Sequence, residues 1–145
     1  MGSILVVYYS GTGNTRKMAE LVAEGAEAVG GHEVRLADVR DLDLAELVAA
    51  DAFAFGSPDY FTYMAGEVKT LFDRALSQVE KLKGKPFVSF VSHGGGGGAI
   101  ESLDRLGKAV GLKQVCDGVK SQGAPSGKAV EACRKLGSDL AGAVS

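Results

Sequence analysis

The sequence predicts an α/β fold, a three-layer sandwich in which one open, doubly wound parallel sheet lies between helices. Three observations carry that prediction. Short β-branched or aromatic runs alternate with amphipathic helical stretches along the whole chain, and such alternation implies parallel pairing with right-handed crossovers. The first run, Ile4 to Tyr9 (ILVVYY), is apolar throughout, which suits a strand buried on both faces. Chemically distinctive segments follow the first, third and fourth strands, where an open parallel sheet binds its ligands.

Each element has its own signal. After the first strand, Met18, Leu21, Val22, Ala26 and Val29 recur at helical spacing, and Gly30-Gly31 ends the helix. His32 to Ala37 alternates like a strand nearer an edge, and Leu44 to Ala49 fits a short helix. Asp51 to Gly56 (DAFAFG) reads as the third strand. Gly66 to Val79 is helical, with Val68, Leu71, Phe72, Ala75 and Val79 in one stripe. Lys85 to Val91 is the fourth strand, with Pro86 at its start, where a missing N–H donor is tolerated. Ile100, Leu103, Leu106 and Val110 mark the next helix. Gln114 to Val119 holds the fifth strand, and Gly127 to Val144 a last helix facing inward through Val130, Cys133, Leu136 and Leu140.

With 145 residues, the chain is the size of one average domain, and no linker or repeat divides it, so a single unit over 1–145 is expected. Hydrophobic residues at 46% and charged residues at 23% are ordinary for a globular chain and argue against disorder. No apolar run is long enough to cross a bilayer. A net charge of −2 without a basic block gives no footprint for nucleic acid or an anionic membrane. The start MGSILVVYYSG carries no signal-peptide pattern, and Val6 breaks the myristoylation pattern, so a cytoplasmic location is expected. Cys116 and Cys133 have no metal-ligand spacing and read as small buried hydrophobes.

The loop Ser10-Gly11-Thr12-Gly13-Asn14-Thr15 joins the first strand to the first helix. Its two glycines allow a tight turn that directs N–H groups inward, and Ser10, Thr12, Asn14 and Thr15 add side-chain donors. The helix beginning near Asn14 points its positive end at the same spot. The set suits a neutral cage for a terminal phosphate, with Arg16 and Lys17 facing solvent. A Walker A loop is absent, because Thr15-Arg16 follows Gly13-Asn14 where that motif needs Gly-Lys. In a dinucleotide fingerprint Arg16 would occupy the third glycine's place, although Asp38 stands roughly where a ribose-binding acid would fall. A helix cap needs one such hydroxyl or amide residue, and four with two glycines exceed it.

A strand followed by SGTGNT and an amphipathic helix resembles the flavodoxin family. The strand order, the turn after strand four and the stretch Cys116 to Pro125 before the last helix are similar to short-chain flavodoxins, so the resemblance covers essentially the whole chain. It implies a five-stranded flavodoxin-like sheet in the order 2-1-3-4-5, and an FMN whose phosphate sits in the loop from Ser10 to Thr15.

Under that resemblance the segment Ser57-Pro58-Asp59-Tyr60-Phe61-Thr62-Tyr63-Met64 flanks the isoalloxazine. Flat apolar walls are available from Tyr60, Phe61, Tyr63 and Met64, and at least one aromatic is expected against the ring. Electron-carrying members usually have a small residue, often glycine, where the backbone flips as the flavin changes redox state; Asp59-Tyr60-Phe61 stands there instead. The string SPDYFTYMAGEVKTLFDR is similar to flavodoxin-like NAD(P)H:quinone oxidoreductases and FMN reductases. After strand four, Ser92, His93 and Gly94, Gly95 and Gly96, within a run reaching Gly98, offer backbone donors to the pyrimidine edge but no stacking side chain. One ring face is therefore expected to be open. His93 is either a group that tunes the flavin or moves a proton, or a loop histidine bonded to backbone or water.

Two functions follow. The first is a flavodoxin-type electron carrier of low potential, working between a reductase and an acceptor protein as a monomer or weak dimer. No Lys or Arg lies in loops 10–15, 57–65 or 92–98 to favour an anionic reduced flavin. The alternative is a small FMN-dependent NAD(P)H:quinone or flavin oxidoreductase, supported by the second loop and the open third one. A flavin-free receiver-type module would need an acidic cluster after strand one, which the sequence lacks.

Overall fold

The computed structural model describes residues 2–144; Met1 and Ser145, the end points of the expected unit, lie outside them. Strand β1 (Gly2–Tyr8) shows why the sheet is central. Its side chains alternate between two cores, Leu5 and Val7 on one face and Ile4, Val6 and Tyr8 on the other. On the first face Phe53, Phe55, Phe72 and Phe87 pack together, with Phe53 and Phe55 stacked at 5.7 Å. On the second, Met18, Val22, Phe90 and Leu140 close over the sheet.

Around β1 the parallel order is β2 (His32–Asp38), β1, β3 (Ala52–Tyr60), then β5 (Pro86–His93). The last position of the expected 2-1-3-4-5 order is filled by two short strands, β6 (Lys113–Gln114) and β7 (Val119–Gln122), both parallel to β5. The single strand expected over Gln114–Val119 is therefore corrected to this pair. Its centre is diverted where Gln114 Nε2 donates to the Cys116 carbonyl and Gly118 passes so close to Ser89 that a Cβ would lie 2.5 Å from the Ser89 carbonyl oxygen. A further short strand, β4 (Tyr63–Met64), folds back antiparallel on the end of β3.

Helices α1 (Asn14–Val29) and α6 (Lys128–Gly142) cover the second face. They cross through glycines: a Cβ on Gly25 would lie 1.9 Å from the Arg134 carbonyl oxygen, and one on Gly137 1.9 Å from that of Val22. The first face carries α2 (Leu44–Ala49), α3 (Gly66–Ala75), the short α4 (Val79–Leu82) and α5 (Ala99–Ala109). A capping box opens α2, with Asp43 accepting from the Glu46 N–H at 2.8 Å and Glu46 accepting from the Asp43 N–H at 3.2 Å. The helix expected over Gly66–Val79 stops at Ala75. The stripe expected to run on to Val79 is interrupted by a 3-10 turn over Leu76–Gln78, which leaves Leu76 61% exposed and Val79 half-buried while Leu82 reaches the core.

Candidate functional site

The carboxyl ends of β1, β3 and β5 bring the three expected loops together, and the contacts between them are specific. In the first loop Ser10 Oγ accepts hydrogen bonds from the Gly13 N–H at 3.0 Å and the Arg16 N–H at 3.3 Å, folding the loop back over the start of α1. Gly13 sits at φ 101°, a left-handed position that an L side chain rarely adopts. The N–H groups of Gly11, Thr12, Asn14 and Thr15 find no acceptor among the described residues. These free donors at a helix N-terminus are suited to an anion. Gly11 and Thr12 are exposed, Ser10 and Asn14 half-buried, and Arg16 and Lys17 face solvent.

Thr15 behaves differently from its neighbours. Its side chain is buried, and Thr15 Oγ1 shares a 2.7 Å hydrogen bond with Ser92 Oγ at the end of β5. The pair braces the first loop against the third. Ser57 is also buried: its Oγ accepts from the Ala65 N–H at 2.8 Å and donates to the Pro58 carbonyl at 2.7 Å. Met64 belongs to the core, and its N–H donates to Ser102 Oγ at 3.1 Å.

The second loop is a hairpin whose tip is strained. Tyr60 pairs with Tyr63, leaving Phe61 and Thr62 as a two-residue turn with φ 58° and 64°. Both signs positive is the type I′ pattern, which favours Asn-Gly and disfavours Phe-Thr. The strain is held in place by Asp59, whose Oδ1 accepts from the Thr62 N–H at 2.8 Å and whose Oδ2 accepts from the Ala99 N–H at 3.3 Å. One carboxylate thus ties the hairpin to the start of α5. Phe61 is fully exposed at the tip. Tyr60 leans across to the first loop, its hydroxyl 2.5 Å from where a Gly11 Cβ would stand, while Tyr63 packs against the core.

In the third loop, a Cβ on Gly94 or Gly95 would meet nothing within 4 Å, so this backbone has open space before it. Lys120, on β7 and outside the three loops, also reaches this one. A Cβ on Gly97 would lie 2.7 Å from Lys120 Cδ and 3.0 Å from His93 Cδ2. The signal for Lys120 in the sequence is its place at the carboxyl end of the fifth strand position. His93 Nδ1 is buried with no hydrogen-bond partner among the described residues.

Beside the loops, the Arg40 guanidinium lies 5.3 Å from the centre of the Tyr9 ring and bonds Asp38 through Nε at 3.0 Å and Nη2 at 2.8 Å. Those bonds hold the Asp38 carboxyl below the usual carboxylate range. The Glu67 carboxylate, burial and Tyr60 together raise Tyr9. Burial pushes the Cys133 thiol up to about 11 and raises Cys116 as well, so neither is an activated nucleophile.

A doubly wound parallel sheet with a donor-rich loop at its switch point places the chain in the open α/β class, whose ligand sites lie beyond the carboxyl ends of the strands. The comparisons with known proteins narrow it. The family model described as Flavodoxin matches residues 6–137. A flavodoxin of Aquifex aeolicus is 37% identical over 97% of this chain and 86% of its own. The chain belongs to the flavodoxin family. A solved flavodoxin from the domain Archaea superposes with a TM-score of 0.88 at 28% identity, covering 97% of this chain and 96% of that one. A probable NAD(P)H dehydrogenase (quinone) of Arabidopsis thaliana is 35% identical over 68% of this chain, which spans 45% of that protein. No helix among the described residues is long and apolar enough to cross a membrane.

Proposed function

We propose that this chain is a flavodoxin-type electron-transfer protein that holds FMN at the three loops as a single flavodoxin-like unit over 1–145. The observation that carries the reading is the loop from Ser10 to Thr15, where four unpartnered backbone donors gather at the N-terminus of α1 in a chain of this family. The donor set fits a flavin phosphate. The N–H groups of Gly11, Thr12, Asn14 and Thr15, with the Thr12 hydroxyl, hold the phosphate; Ser10 shapes the loop, and Thr15 with Ser92 fixes its position. Tyr60 and Phe61 wall the ring on the hairpin side. The backbone of Gly94 to Gly96 would meet its polar edge, in the loop that begins beside the buried, unpartnered His93 Nδ1.

When bound, FMN supplies one- and two-electron transfer, and the protein sets its access and potential. Loops 10–15, 57–65 and 92–98 contain no Lys or Arg. The Lys120 side chain packs beside Gly97 of the third loop, and a positive charge there would oppose the lowering of the potential. Partners are a reductase and an acceptor protein, met by the monomer or weak dimer.

A second reading, an FMN-dependent NAD(P)H:quinone oxidoreductase, has specific support in the similarity to the Arabidopsis thaliana protein and in the open space before Gly94 and Gly95 of the third loop. Anaerobic addition of NADPH and then NADH to FMN-loaded protein separates the two. As a carrier it stays yellow until a reductase or dithionite is added. Prompt bleaching that a quinone reverses would establish the reductase instead.

A further inference from the structure

Away from the three loops, the 3-10 turn over Val39–Asp41 and the helix α3 enclose a cleft of about 310 Å3 beyond the carboxyl end of β2. That is the lower end of the size range of small-molecule pockets, about 300–1,000 Å3. Its floor is apolar, made by the buried side chains of Val39, Leu42 and Leu71. Its rim is polar in an ordered way. Glu67, Thr70 and Arg74 follow at helical spacing along one face of α3, and Arg40 faces them from the opposite wall.

Hydrogen bonding assigns a role to each rim group. Arg40 is fixed through Nε and Nη2 by Asp38 and lies over Tyr9, so its Nη1 is spare and already positioned. Arg74 has no carboxylate within ion-pair distance among the described residues. Thr70 Oγ1 donates to the Gly66 carbonyl at 3.0 Å, so toward the cleft it can only accept, and the Glu67 carboxylate is likewise an acceptor. The cleft therefore offers two guanidinium donors, two oxygen acceptors and an apolar base.

We propose that this cleft is a second ligand site that binds a small organic anion bearing a hydroxyl group, of the hydroxyaromatic carboxylate class. The carboxylate meets Arg74 and Arg40, the hydroxyl donates to Glu67 or Thr70, and the ring lies on Val39, Leu42 and Leu71. Guanidinium–carboxylate pairing makes the charge of the ligand decisive. None of the residues lining this cleft belongs to the loops 10–15, 57–65 or 92–98, so the proposal does not rest on the flavin reading.

The test is an amide-resolved NMR titration of the 15N-labelled chain, with and without FMN, using 4-hydroxybenzoate and its neutral analogue 4-hydroxybenzamide. The expected result is a saturable shift of the Thr70, Leu71 and Arg74 amides by the acid, with the amide analogue and the Arg74→Gln variant each at least fivefold weaker. Arg74 is exposed and outside the core, so the variant keeps the fold, and the comparison of the two probes needs no variant at all. Shifts confined to residues 10–15, no saturable shift on α3, or equal binding of acid and amide would each overturn the proposal.

Discussion

Thr15 and Ser92 are 77 residues apart in sequence, yet their hydroxyls meet at 2.7 Å in the buried seam between the first and third loops. A mutual bond of this kind satisfies both groups, and removing either leaves the other buried without a partner. Thr15→Val, which keeps the shape, is expected to destabilise the fold by about 1–3 kcal/mol and to weaken FMN binding by displacing the loop. Thr12 is exposed and makes no hydrogen bond among the described residues, so Thr12→Ala is expected to leave unfolding unchanged and weaken FMN alone. Urea unfolding beside flavin titration checks the contrast, and the double change Thr12→Ala, Thr15→Ala is expected to cost at least tenfold in FMN affinity.

The hairpin tip yields a stabilising prediction. Phe61 and Thr62 occupy positions that a type I′ turn fills best with Asn and Gly. Replacing Phe61→Asn and Thr62→Gly together is expected to raise stability by about 1 kcal/mol or more, read as a higher urea midpoint. Asp59→Ala is expected to act in the opposite direction, because the turn and the start of α5 both lose their acceptor.

At the crossing of α1 and α6 there is no room for a methyl group. A Cβ on Gly25 or Gly137 would sit 1.9 Å from a carbonyl oxygen of the other helix. Gly25→Ala and Gly137→Ala are each expected to cost about 1–3 kcal/mol or more through forced separation of the helices. Gly142→Ala, where the Cβ would meet nothing within 4 Å, serves as the control. Thermal unfolding monitored by circular dichroism reads all three.

Acid unfolding reports on Asp38. Its carboxyl titrates below its unfolded value of about 3.9 because Arg40 bonds the charged form. A depressed folded value means the stabilisation is present above the unfolded value and is lost as pH falls through the folded one. Asp38→Asn is therefore expected to lower stability at pH 7, with its curve converging on that of the parent as acid protonates the folded carboxyl. Parallel curves from pH 7 to pH 2 would contradict the assignment.

Much of this was legible in the sequence. The apolar run Ile4–Tyr9 announced a strand with two buried faces, and Leu5 and Ile4 do enter different cores. The hydroxyl-rich SGTGNT stretch lies at the start of α1 as its composition required. What stayed hidden depended on contacts distant in sequence. Nothing local told that Gly118 would be pressed against Ser89 and split the fifth strand, or that a 3-10 turn over Leu76–Gln78 would end α3 before Val79. The roles of Thr15, Ser57 and Asp59 were equally concealed, because Ser92, Ala65 and Ala99, to which they bond, are joined to them by folding alone. Lys120 was hidden for the same reason, since it lies on a strand outside the three loops and meets Gly97 only in the fold.

The account rests above all on a phosphate held by the loop from Ser10 to Thr15. The direct measurement is a titration of the flavin-free protein with FMN and, separately, with riboflavin, followed by quenching of flavin fluorescence. The two ligands share the ring and the ribityl chain and differ in the phosphate. Several charge-assisted hydrogen bonds to that group predict FMN binding at least tenfold tighter than riboflavin, with the advantage reduced by Thr12→Ala. Equal affinity for the two, or no uptake of either, would contradict it.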